Sequence, residues 1–129
     1  PNMSDADTFP DPDQLLRDPL LRDAPEVEGF KVLDPAILFA RLGRGGMGAV
    51  YRGLHCKLNI DVAVKCLMPS LAAEDPSYIA RFEREASLAA RLTHQNIVRV
   101  MEVQRHGDLH YLVMEFVRGE TLEQMIERT

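Results

Sequence analysis

Tryptophan is absent from this 129-residue chain, and cysteine occurs only twice, at Cys56 and Cys66. The two do not form a Cys-x-x-Cys pair and no second pair exists to complete a zinc site, so free thiols in a reducing compartment are expected and no metal site is. His55 stands beside Cys56, but adjacent side chains on a strand point to opposite faces and do not converge on one ion. No apolar run is long enough to cross a bilayer, and the N-terminus lacks the basic-then-apolar layout of a signal peptide. The chain therefore reads as cytoplasmic, with Met3 as its natural start. Excess positive charge is also missing. Residues 1–30 hold eight acidic and two basic side chains, a net of −6, while residues 31–129 hold twelve acidic and thirteen basic, a net of +1. A near-neutral folded part gives nucleic acid no electrostatic footing as a partner.

Aromatic residues are scarce in the first 29 positions, which are rich in Asp and Pro. Such a composition buries too little apolar surface to offset the entropy of ordering. Residues 1–29 are therefore expected to be a largely flexible acidic extension, and residues 30–129 the folded domain. One feature runs against this. Leu15-Leu16-Arg17-Asp18 recurs as Leu20-Leu21-Arg22-Asp23, and Asp18-Pro19 is a helix start, with Asp18 as N-cap and Pro19 at the first position. The paired leucines would then form a docking segment for the folded body or a partner. The loosely ordered linker is the expectation taken here.

What is present is a glycine-rich stretch, Leu42-Gly43-Arg44-Gly45-Gly46-Met47-Gly48-Ala49-Val50, with four glycines in six residues. Without Cβ atoms such a backbone folds tightly and approaches a ligand closely, and its N–H groups can point at phosphate oxygens. Fifteen residues after Val50 comes a lone cation in a strand-like run, Val62-Ala63-Val64-Lys65. An anion cradle followed by a fixed positive charge suggests a nucleoside triphosphate. The Gly43-x-Gly45-x-x-Gly48 spacing alone fits both the dinucleotide-binding fingerprint and the glycine-rich loop of protein kinases. The first opens a helix and wants an acidic residue about 20 positions on. Here the loop runs into Val50-Tyr51-Arg52, a turn and a second strand, which fits the kinase hairpin.

With Val50 two residues after the last glycine and Val62-Ala63-Val64-Lys65 close to the V-A-I-K pattern, the chain resembles a protein kinase. The Gly-Gly-Met-Gly loop points to the bacterial eukaryotic-like, or Hanks-type, Ser/Thr kinases. The resemblance covers residues 36–129. Strands are predicted near 37–42, 49–55, 62–67, 97–104 and 109–116, with Met68–Glu74 as a connection broken by Pro69. Asp75-Pro76 starts a helix over about 76–92, in which Ile79, Phe82, Ala86, Ala89 and Leu92 form a buried stripe. The fold expected is α+β: a kinase N-lobe with a five-stranded antiparallel twisted sheet, one main helix packed on it, and a short C-terminal helix ending at Thr129.

Glu85 lies within the apolar stripe, where a carboxylate needs a partner. The resemblance supplies one: in kinases the strand lysine pairs with a glutamate of this helix and the pair holds the α- and β-phosphates, which assigns Lys65 and Glu85 as the catalytic pair. A solvated Glu85 flanked by Arg81 and Arg84 is the bland alternative. The resemblance further implies that Gly43, Arg44, Gly45, Gly46, Met47 and Gly48 cover the phosphates. It places Leu42, Val50 and Ala63 over the adenine, Met114 as gatekeeper, and the backbone of Glu115 and Val117 on the adenine edge; for Leu42 and Val50 plain core packing is the rival.

No H-R-D and no D-F-G occurs in the chain. The substrate-activating aspartate and the Mg2+ ligands of the family are therefore expected in the C-terminal lobe, beyond these residues. The parent protein is expected to phosphorylate Ser/Thr of protein substrates with ATP and Mg2+, and this chain alone to be inactive. A lobe without its partner lobe is expected to expose an apolar patch at the adenine pocket and to self-associate, as a dimer or by segment exchange. A pseudokinase or stand-alone interaction module is the alternative from another class; such a scaffold has no need of Lys65, Glu85 and the glycines together.

Overall fold

The computed structural model describes residues 11–44, 48–91 and 99–115, with the backbone alone described at 85–91 and 99. Seven strands form one antiparallel sheet: β1 (Glu26–Val27), β2 (Phe30–Leu33), β3 (Ala36–Arg44), β4 (Gly48–His55), β5 (Asp61–Leu67), β6 (Arg99–His106) and β7 (Leu109–Glu115), in spatial order β1-β2-β3-β4-β5-β7-β6. Helices α1 (Pro12–Leu16), α2 (Pro69–Glu74) and α3 (Ser77–Arg91) and one 3-10 turn (Pro19–Leu21) accompany it.

The α+β architecture agrees with the sequence reading, but the sheet has seven strands where five were predicted. The two additional strands precede the others and close through Glu28-Gly29, whose φ angles are +51° and +85°. Two consecutive left-handed residues make the tight turn that suits a two-residue hairpin. The glycine that permits it stands at the boundary assigned to the flexible extension.

Residues 11–24 also differ from the expectation of flexibility. Leu15 and Leu21 are both 0% exposed, and Ala24 is buried beside them. They join Leu38, Tyr51, Val62, Val64, Tyr111 and Val113 in one cluster on the outer face of the sheet. Burying a leucine completely contributes about 1.5–3 kcal/mol. The acidic average of the segment hid this, because the leucines that matter are two among many polar neighbours. The Asp18 carboxylate caps the 3-10 turn as the sequence indicated, accepting from Leu20 N–H at 3.0 Å. Lys31 on β2 closes the other end of the segment, donating to Arg22 O at 3.4 Å and Ala24 O at 3.0 Å.

The strand alternation of β5 sorts its residues between two cores. Val62, Val64 and Cys66 face the outer cluster, while Ala63 and Leu67 belong to an inner cluster with Leu42, Val50, Ala72, Phe82, Leu112 and Met114. Both faces being covered, six consecutive residues of β5 are buried. Pro69, read as a breaker, instead opens α2 at the first helical position, where its missing N–H costs nothing. Asp75 starts α3, accepting from Ser77 N–H at 3.0 Å. That bond holds its carboxyl below the usual range. Of the predicted stripe, Phe82 is fully buried and Ile79 packs against the inner cluster; the side chains of Ala86 and Ala89, and Leu92, lie outside the described residues, as does the predicted C-terminal helix.

Candidate functional site

The inner face is positioned by register. Val50 on β4 is opposite Lys65 on β5, and Lys65 is opposite Leu112 on β7. Directly paired residues of an antiparallel sheet share a face, so one row runs Val50, Lys65, Leu112. A second row, two residues along β5, pairs Ala63 with Met114. Leu42, Val50, Ala63 and Met114, which the sequence reading brought to one apolar surface, do share one cluster. They are buried. The exposed apolar patch expected for this face is therefore not formed by these four side chains, because they pack against one another and against Phe82 from α3.

Lys65 is 6% exposed. Its Nζ lies 5.4 Å from the centroid of the Phe82 ring, a cation–π distance that offsets part of its desolvation. The helix thus meets the lysine through an aromatic side chain. Sequence reading named Phe82 as core without linking it to Lys65. The signal was available: Phe82 falls three residues before Glu85, so both lie on the same side of α3. The side chain of Glu85 lies outside the described residues, as do Gly45, Gly46, Met47 and Val117. Glu115 ends β7, paired with Val62.

At the ends of the glycine-rich connection, Gly43 is opposite Val50 and Arg44 opposite Ala49. Gly48 is held for a steric reason independent of any ligand. A Cβ there would stand 1.7 Å from the backbone oxygen of Cys66, as β4 crosses close to β5. Arg44, assigned with the loop, lines a cavity on the outer face together with Ala49, Tyr51 and residues of the 3-10 turn. Directly behind the inner row, burial pushes the Cys66 thiol up, with the Asp18 charge adding to the shift, so it is an inert core thiol. His55 is buried and Cys56 exposed, and among the described residues no cluster of His, Cys, Asp or Glu could hold a metal ion. His55 Nδ1 instead accepts from the N–H groups of Lys57 and Leu58, at 3.2 and 3.1 Å. No described helix is long and apolar enough to cross a membrane.

Comparison with known proteins gives this geometry its context. The protein kinase domain family matches residues 37–129. Serine/threonine-protein kinase PknB of Mycobacterium leprae is 45% identical over 89 residues, 66% of this chain and 14% of that protein. Serine/threonine-protein kinase PrkC of Bacillus subtilis is 41% identical over 85 residues, 66% of this chain and 13% of that one. The crystal structure of the Mycobacterium tuberculosis PknI kinase domain superposes with a TM-score of 0.55 at 28% identity, covering 71% of this chain and 37% of that domain. The apo form of PpkA-294 has the same fold at a TM-score of 0.61 and 20% identity, over 70% of this chain and 38% of its own. The chain thus spans about an eighth of the length of these curated relatives and little more than a third of the solved domains. With its antiparallel sheet and packed helix in the kinase N-lobe arrangement, the chain belongs to the protein kinase family, in its bacterial Hanks-type Ser/Thr branch.

Proposed function

We propose that this chain is the ATP-binding lobe of a protein kinase that transfers the γ-phosphate of ATP to serine or threonine of protein substrates. The observation that carries the reading is the buried Lys65, set in one face with Val50, Ala63, Leu112 and Met114. A cation held in the middle of an apolar face is placed to neutralise phosphate charge beside a flat ring. The small Ala63 between valines leaves the least side-chain bulk where a flat ring would lie.

In this reading Lys65 neutralises charge on the α- and β-phosphates and Glu85 orients Lys65. Backbone N–H groups of the Gly43–Gly48 segment face the phosphates. Leu42, Val50 and Ala63 contact the adenine from above, Met114 closes the back of its pocket, and the backbone of Glu115 and Val117 hydrogen-bonds its edge. ATP with bound Mg2+ supplies the phosphoryl group, and the residues that hold the metal and accept the substrate proton belong to the C-terminal lobe. The chain on its own is inactive, because its sequence has no H-R-D and no D-F-G. It binds nucleotide weakly, since the magnesium ligands and the floor of the pocket belong to the C-terminal lobe. Self-association of the lobe is part of the proposal and is read by light scattering, where a monomer at high concentration removes it.

Lys65→Met in the parent kinase tests the central role. Phosphotransfer should fall to background with the melting temperature kept. Retained transfer refutes the assignment.

A further inference from the structure

The outer face carries a cavity that the proposed nucleotide site does not use. It offers about 270 Å3, open on one side to solvent, between the 3-10 turn, β3, β4 and the start of α2. Arg22 lines it from the extension, Arg41 and Arg44 from β3, and Tyr51 and Ser70 from β4 and α2. A second cavity of about 200 Å3 shares Asp18, Pro19 and Arg41 with the first and adds Arg17. Four arginines thus line one seam, with Asp18 the one acidic residue among its lining.

That carboxylate is already committed. Asp18 is 7% exposed at its side chain and accepts from Tyr51 Oη at 2.7 Å and from Leu20 N–H at 3.0 Å. Its distance to Arg41 Nη1 is 3.9 Å, so it offsets one of the four positive charges. Arg22 approaches Asp23 at 3.9 Å, but both side chains are more than four-fifths exposed and water screens the pair. Arg17 and Arg44 make no salt bridge with a described carboxylate within 4.0 Å. A half-open cavity with surplus arginine charge, the Ser70 hydroxyl beside it and Ala49 and Met68 as apolar lining fits a small oxyanion on a short apolar stem. Guanidinium forks match tetrahedral phosphate oxygens in pairs.

We propose that this outer cavity binds a phosphate monoester, through Arg22, Arg41 and Arg44, at a site separate from the nucleotide face. Its volume takes one phosphorylated side chain or a small phosphorylated metabolite, not a polymer. Because Arg41 and Arg44 lie on the strand that leads into the glycine-rich connection, occupancy there bears on that strand from the side opposite Lys65.

The test is titration of the 129-residue chain with O-phosphoserine, with serine as the uncharged control and with a short phosphoserine peptide, while backbone amide resonances are followed by NMR. Shifts should centre on Arg41, Arg44, Ala49 and Tyr51, and serine should produce none. Tighter binding of the peptide than of free phosphoserine assigns the monoester to a protein segment; equal binding assigns it to a small molecule. Arg22→Gln with Arg44→Gln should weaken binding by about tenfold or more, at an unchanged melting temperature, since both side chains are at the surface. Lys65→Met should leave it unchanged. Saturable binding that survives the double arginine variant, binding lost in Lys65→Met, or no shifts up to about 10 mM ligand would each overturn the proposal, and none of these outcomes bears on whether Lys65 serves phosphotransfer.

Discussion

The two faces of the sheet are covered by different means. The inner face is closed by α2 and α3, which the chain reaches in turn after β5, and it holds a buried cation against Phe82. The outer face is closed by residues 11–24, which come before the first strand and return to touch strands far along the sequence. Tyr51 reaches Asp18 across 33 positions and His106 Nε2 lies 3.1 Å from Asp23 O across 83. The inner face keeps a charge and small side chains where apolar packing would be more stable. The outer face is ordinary core: leucines, valines and two tyrosines whose hydroxyls both find partners. The packed part of the outer face holds the fold together, the inner face is the one proposed to meet nucleotide, and perturbing each in turn tests the contrast.

The largest effect should come from the outer face. Leu15→Ala with Leu21→Ala removes two fully buried side chains and should cost about 5 kcal/mol or more, enough to unfold a domain of ordinary stability. Chemical denaturation measures it; an unchanged midpoint would mean that the extension is an ornament. Next is Gly48→Ala. Its Cβ meets a backbone oxygen that no rotamer change can move, so β4 and β5 must separate, at about 3 kcal/mol. If the variant is as stable as the parent and loses only nucleotide binding, the glycine serves the ligand alone.

Tyr51→Phe is milder. It deletes the 2.7 Å bond and leaves the Asp18 carboxylate without one donor, an expected loss of about 1–2 kcal/mol. Lys65→Met should not share this destabilisation, which is the contrast between the faces in its sharpest form. The smallest effect is alkaline. Burial first, and then the Asp34 charge, push the Tyr111 hydroxyl up to about 12, and burial together with Cys66 and Asp18 raises Tyr51 further. A pKa raised on folding gives stability that is complete below the unfolded value near 10 and is lost as pH rises through the folded one. Melting temperature should therefore hold to about pH 10 and fall from there to pH 12, and Tyr111→Phe should flatten the fall. A flat profile in the parent would show that these hydroxyls ionise without opening the outer face.

Sequence alone determined what depends on near neighbours. The hairpins around Gly43–Gly48 and Gly107, the strand over β5, the Asp75 start of α3 and the common side of Ala63 and Lys65 all follow from turn chemistry and a two-residue period, while the grouping of Val50 and Met114 with them came from the kinase resemblance. Those rules act over a few positions, so they are legible in order along the chain. Tertiary structure alone decided that Leu15 and Leu21 are core and that Arg44 turns outward to a cavity with Arg22 and Arg41. Each depends on a surface assembled from strands distant in sequence. An acidic, proline-rich segment buries two leucines only because a finished apolar sheet face is there to receive them, and no average over its own composition contains that face.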